Sequence, residues 1–313
     1  MIRSPPIDNW NGSFVAEFIL LGLSDNPQVK VLLFVMFLVV YLITISGNII
    51  LITVCVHEPR LHTPMYFFLV NLSFLDIFYS CVFVPNYLVH LLQDIWSISF
   101  AGCAAQIFAC LVLAVTESAL LTIMAFDRYV AICFPLHYTS VMNSSTCTKM
   151  VVGSWLNACV LPLPVIVMTL RLPLCGNNVI NNFFCEAITL VNMACVDTFF
   201  IEMVIFISGI FVLLIPILLI SISYLNILMA ILKIHSTEGR SRAFSTCASH
   251  LINVSVMYAA GIYMYMKPVP KNKTNQEKIL AVFYTVGPPL WNPIIYSLRN
   301  KEIKLVMKNL LKK

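Results

Sequence analysis

Seven long apolar runs, separated by short polar segments, constrain this chain more than any other feature of it. They lie near residues 31–56, 65–92, 104–126, 150–170, 199–232, 243–266 and 279–298. A hydrocarbon core roughly 30 Å thick takes about 20 apolar residues of helix to cross. Within lipid the backbone N–H and C=O groups must bond inside their own segment, so each run is predicted to be a helix. Hydrophobic residues make up 60% of the 313 and charged ones only 11%, a balance that excludes a soluble domain. The expected fold class is an all-α membrane protein, a seven-transmembrane helix bundle. Residues 1–30 form an extracellular N-terminal segment, 31–298 the bundle and 299–313 a cytoplasmic tail with a short interfacial helix.

The basic residues orient the bundle. An odd number of spans puts the two ends on opposite sides, and with the N-terminus outside, twelve of the nineteen Lys and Arg residues are cytoplasmic. Six of these lie in the tail, where Ile303, Val306, Met307, Leu310 and Leu311 share one helical face and Lys301, Lys304, Lys308 and Lys312 the other. That is the pattern of a helix lying on an anionic leaflet. Residues 1–30 hold no clean signal-peptide core, because Glu17 interrupts the apolar stretch 14–23, so the first span is expected to act as an uncleaved anchor in the plasma membrane. Asn11-Gly12-Ser13 is then an accessible glycosylation sequon, and Asn272-Lys273-Thr274 matches too but sits close to the membrane.

Asp76 and Glu117 are the acids deepest in apolar sequence, and each would be costly alone in lipid. Counted along their runs they fall at similar depth, so they either join a hydrogen-bonded knot that fixes packing or hold a cation of the sodium type. Asn48 and Asn292 are the expected polar neighbours. Gly47 allows the first span a close neighbour, Pro216 permits a bend in the fifth, and Asn292-Pro293 supplies a hinge in the seventh. Cys103, Cys175, Cys185 and Cys195 fall on the outer, oxidising side, where four cysteines allow three pairings. Asp127 and Arg128 stand together at the inner end of the third span, and the planar, permanent charge of Arg128 can leave one partner for another.

The run Met124-Ala125-Phe126-Asp127-Arg128-Tyr129-Val130-Ala131-Ile132-Cys133 resembles, almost letter for letter, the third-helix end of odorant receptors within the rhodopsin-like G-protein-coupled receptors. Leu61-His62-Thr63-Pro64-Met65-Tyr66-Phe67-Phe68-Leu69 is similar to the same family. So is Arg242-Ala243-Phe244-Ser245-Thr246-Cys247-Ala248-Ser249-His250, although most members carry Lys at its first place. Asn292-Pro293-Ile294-Ile295-Tyr296 agrees as well, but Pro288-Pro289-Leu290-Trp291 departs from the usual Pro-Met-Leu before the Asn.

The resemblance implies a switch built from Asp127, Arg128, Tyr129, Tyr224, His250, Asn292, Pro293 and Tyr296, with a G protein of the stimulatory olfactory type as partner and cyclic AMP as output. It implies the disulfides Cys103–Cys185 and Cys175–Cys195. Moving inward about two turns from Cys103 reaches Cys110, Leu111, Ala114 and Val115. The family pattern sets opposite them Ser208, Gly209, Val212, Tyr258, Gly261, Ile262, Tyr265, Val282 and Thr285. So lined, a pocket suits a small volatile odorant, and with no acid or base among these residues amines and carboxylates are expected to bind poorly. Neither an enzymatic centre nor a nucleic-acid partner is expected, and no cofactor beyond the sodium ion. The alternatives are a rhodopsin-like receptor for another small molecule and an ion-coupled transporter. Against the transporter, the chain shows no internal repeat of the kind such proteins are built on.

Overall fold

The computed structural model describes residues 16–93, 96–174, 178–233, 236–266, 275–299, 303 and 306. Seven long helices run through them: Pro27–His57, Pro64–Leu91, Phe100–Cys133, Ser144–Leu170, Phe199–Leu232, Thr237–Tyr265 and Asn275–Arg299, here called the first to the seventh. The first five are both long and apolar enough to cross a membrane, and the sixth and seventh, of 29 and 25 residues, have the length. The expected seven-helix bundle is the fold.

Helix starts follow from local chemistry. Asn26 accepts from Gln28 N at 2.9 Å with Pro27 at the first helical position, which begins the first helix earlier than the apolar run did. Pro64 opens the second, Ser99 caps the third through Gly102 N at 3.1 Å, and Asn143 caps the fourth through Thr146 N at 2.9 Å. The fourth helix is interrupted between Val160 and Leu163, where Pro162 withholds its N–H. The third helix runs past its apolar stretch to Cys133, so the run Met124–Cys133 closes it, and Asp127, Arg128 and Tyr129 lie within its last two turns.

The third helix is the pillar of the bundle, packing on the second, fourth, fifth and sixth. In its most apolar stretch 61% of the residues are buried, against 11% in the first helix and 17% in the fifth, so the latter two give most of their surface to lipid. Val31, Leu32, Leu42 and Ile49 are examples on the first helix. A helix apolar on all sides suits that surrounding, with packing rather than a hydrophobic stripe deciding which face turns inward. Ile303 is buried and Val306 packs on the same core; the rest of the proposed tail helix, like Asn11 and Asn272, lies outside the described residues.

At the end of the bundle carrying Cys103, three short strands form a lid in the order β2 (Ser97–Ser99), β1 (Glu17–Leu20), β3 (Val179–Ile180). β1 runs antiparallel to β2 and parallel to β3. Sequence reading gave the 14–23 stretch no structure, but strand alternation explains it: Phe18 and Leu20 point inward and are buried, and Glu17 points out. The chain then turns at Gly22, whose φ of 69° favours glycine and where a Cβ would run into the His90 ring. Lys278 Nζ donates to Gly22 O at 3.1 Å and ties the seventh helix to this turn.

Pro293 cannot donate to Pro289 O, its α-helical acceptor four residues earlier. Asn48 Nδ2 of the first helix donates to that carbonyl at 3.0 Å, and also to Thr44 O at 2.9 Å. Gly47 leaves room for the approach, since a Cβ there would already lie 3.4 Å from Pro293 Cγ. The double proline before the Asn does not break the helix, and Trp291 lies over Gly287 and against Phe283 with rings 4.9 Å apart. Asn48→Ala is expected to leave the Pro289 carbonyl unpaired and to cost about 1–3 kcal/mol. Thermal unfolding of the purified protein in detergent checks this, and an unchanged midpoint would contradict it.

Candidate functional site

Beneath the lid lies a cavity of about 110 Å³ among the second to seventh helices. The third helix contributes Cys110, Leu111, Ala114, Val115 and Glu117 to its wall, the fifth Ile205, Ser208, Gly209, Val212 and Leu213, and the sixth Met257, Gly261 and Tyr265. Tyr79 and Tyr284 enter from the second and seventh helices, Leu161, Pro162 and Val165 from the interruption in the fourth. Ala187 and Ile188, on a short helix Ala187–Asn192, close it from the loop. The bond between Cys103 and Cys185, with Cα atoms 5.3 Å apart, holds that loop over the third helix. Gln106 Oε1 adds to it by accepting from Cys185 N at 2.8 Å. Cys195 is also in a disulfide, while Cys175 lies outside the described residues.

Nine of the thirteen positions expected to line a pocket are brought together here; Tyr258, Ile262, Val282 and Thr285 are not on the wall. Tyr258 is fully buried, its hydroxyl 2.8 Å from Ser118 Oγ. Thr285 turns its hydroxyl back to Ala281 O at 2.7 Å. Ile262 and Val282 pack on the core. Sequence reading missed the fourth-helix and loop residues because nothing in local spacing says that Pro162 interrupts a helix beside the third. Glu117 was more legible. It follows Cys110 and Ala114 at seven and three residues, hence on the same helical face. Its presence overturns the expectation of a wall without acids.

Asp76 is separately engaged. Both its oxygens accept from Asn292 Nδ2, at 3.2 and 3.0 Å, tying the second helix to the seventh beside the Asn48 bond. Asn48 itself reaches Pro289, not Asp76. Among the described residues no three His, Cys, Asp or Glu side chains converge to hold a metal ion.

Ser118 links the cavity to a second weak point of the backbone. Pro216 cannot donate to Val212 O, and Ser118 Oγ donates to that carbonyl at 2.6 Å, while the fifth helix carries a π-helical segment over Ile210–Leu214. Farther along, His250 bridges three helices. Leu121 O can only accept, so His250 Nε2 donates to it at 3.0 Å, and Nδ1 of the neutral ring accepts from the Tyr224 hydroxyl at 2.9 Å. Tyr296 is buried. Asp127 is buried and its Oδ1 accepts from the Tyr138 hydroxyl at 2.8 Å. Burial, and then the neighbouring Asp127 carboxyl, push the Tyr138 phenol up, so it remains a donor. Arg128 and Tyr129 are half-buried, and among the described residues Arg128 makes no ion pair. The side chains of Arg242 to Thr246 lie outside the described residues.

A sequence model described as olfactory receptor matches residues 37–313. Among curated proteins, olfactory receptor 9G4 of Homo sapiens is 48% identical over 294 residues, covering 94% of this chain and 90% of its own length. Olfactory receptor 5M5 of Mus musculus is 46% identical over 308 residues, 97% of both chains. Olfactory receptor-like protein OLF3 of Canis lupus familiaris is 45% identical over 301 residues, 96% of this chain and 95% of its own.

Ser118→Ala is expected to orphan the Val212 carbonyl and destabilise the fold by about 1–3 kcal/mol, whereas Ser118→Thr keeps the donor and should lose less. Paired melting curves of the two variants decide it; equal midpoints would show that the hydroxyl does not serve that carbonyl.

Proposed function

The chain belongs to the olfactory receptor family, and we propose that small, mostly apolar volatile ligands held in the cavity make it activate a stimulatory, olfactory-type G protein and raise cyclic AMP. It is a membrane-embedded odorant receptor and not an enzyme. The observation that carries the mechanism is the chain of contacts on the third helix. Ala114 and Glu117 line the cavity, Ser118 holds the fifth helix and Tyr258 of the sixth, and Leu121 holds His250 one turn on. A ligand that displaces the cavity face of the fifth or sixth helix therefore pulls on hydrogen bonds that close the Asp127 end.

Opening that end separates Tyr224, His250 and Leu121 and frees Arg128 for a partner protein. The fixed guanidinium suits that exchange, since it keeps its charge and its planar fork on leaving one environment for another. Asp76 with Asn292 serves as a packing knot that holds the second and seventh helices together while the fifth and sixth move. The extracellular placement of the N-terminus is supported by the lid, where β1 lies at the same end as the Cys103–Cys185 bond, which needs an oxidising compartment.

Two outcomes are expected in cells expressing the chain and exposed to an odorant panel. At least one small neutral odorant should raise cyclic AMP, and Arg128→Ala should abolish that rise while surface labelling stays near wild type. Full signalling by Arg128→Ala would remove Arg128 from the switch. His250→Ala, which breaks both bonds of the latch at about 1 kcal/mol each, should raise basal cyclic AMP severalfold; an unchanged baseline at equal surface level would show that the latch does not restrain the receptor.

A further inference from the structure

Glu117 is the one carboxyl on a wall whose other polar side chains are the hydroxyls of Tyr79, Ser208, Tyr265 and Tyr284, and its surroundings give it an unfilled role. Its side chain is 93% removed from solvent, at 7% exposure, and Oε1 has no hydrogen-bond partner. The other buried acid of this region, Asp76, has its oxygens taken by Asn292, so the two differ in what they leave open. Lying farther from the lid than Cys110 and Ala114 on the same helical face, Glu117 forms the floor of the cavity. Oε1 is enclosed by the protein, so a ligand meets the carboxyl through the part of Glu117 that lines the cavity; a buried carboxyl left unpaired carries the cost of its lost hydration, and a donor that reaches it from the cavity recovers part of that cost.

We propose that Glu117 is the polar anchor of the ligand site, and that it selects small neutral alcohols whose hydroxyl donates to its carboxyl while their hydrocarbon body fills the apolar wall above. This rests on the cavity being the odorant site. The wall above the floor fits the hydrocarbon end: Leu111, Val115, Val165, Ile188, Ile205 and Val212 offer dispersion contacts and no donor. An anionic head group is disfavoured, because it would meet the Glu117 carboxyl and little else in the cavity could solvate it. The volume of about 110 Å³ sets the size; an engineered apolar cavity of roughly 150 Å³ admits benzene. An aldehyde of the same heavy-atom count fills the same space but cannot donate, and leaves the Glu117 carboxyl without a donor.

The test uses the full-length receptor in cells, with cyclic AMP and surface labelling read together. The probes are propanol, butanol and 2-methylpropanol, each beside its aldehyde. Wild type should respond to the alcohols at concentrations on the order of ten- to a hundredfold lower than to the matched aldehydes. Glu117→Met, which keeps the bulk and removes both oxygens, should erase that preference mainly by weakening the alcohol responses. Glu117→Gln retains an acceptor oxygen and should retain part of it. Wild type responding to alcohols no better than to aldehydes overturns the proposal whatever the variants do. So does a Glu117→Met receptor at the surface that keeps the preference, or one that loses alcohols and aldehydes in equal measure, which would assign Glu117 to switching. Silence of wild type towards alcohols while other odorants raise cyclic AMP overturns the anchor and leaves the odorant reading standing; silence towards every odorant tells against that reading itself.

Discussion

A backbone carbonyl inside a membrane has no water to fall back on, and the architecture of this receptor is organised around meeting that demand where proline breaks it. Pro216 and Pro293 each deprive the residue four positions earlier of its helical donor. In both cases the missing bond comes from a different helix: Ser118 of the third reaches Val212, and Asn48 of the first reaches Pro289. The two bends are therefore not independent features of the fifth and seventh helices. They are joints, each pinned by a neighbour, and a neighbour that moves changes the energy of the bend.

Because those pins are few and specific, the third helix can carry information. It is the most buried of the apolar helices, and within three turns it presents the cavity wall, the pin on the fifth helix, the contact to Tyr258 and the carbonyl held by His250. On the proposed mechanism, displacement at the cavity reaches the latch through hydrogen bonds that are strong in a low dielectric and costly to leave unmade. The seventh helix is held differently. Asn292 on Asp76 and Asn48 on Pro289 lock it to the second and first helices.

The lid has its own logic. β1 borrows the edges of two loops, and the Cys103–Cys185 bond and Lys278 tie that sheet and loop to the third and seventh helices. Neither partner strand is near β1 in sequence. The Ala187–Asn192 helix is brought onto the cavity by the same disulfide, so the cavity is partly a product of the loop.

The sequence by itself determined that seven helices cross a membrane, because the length of an apolar run and the need to satisfy its backbone are local properties. It determined the residues of the Asp-Arg and Asn-Pro stretches, and the third-helix side of the cavity, where spacing alone places Cys110 and Ala114 on the face that also carries Glu117. What only tertiary structure decided are the pairings between distant segments. Nothing local says that Tyr258 bonds Ser118 instead of facing the cavity, that Thr285 folds back on its own helix, or that Asn48 serves a proline in the seventh helix and not Asp76. The strand β1 belongs to the same class, since a four-residue alternation becomes a strand only when two loops offer it edges. In lipid the hydrophobic effect does not choose which apolar face turns inward. That choice falls to a handful of polar side chains and close approaches, and those are set by the three-dimensional packing.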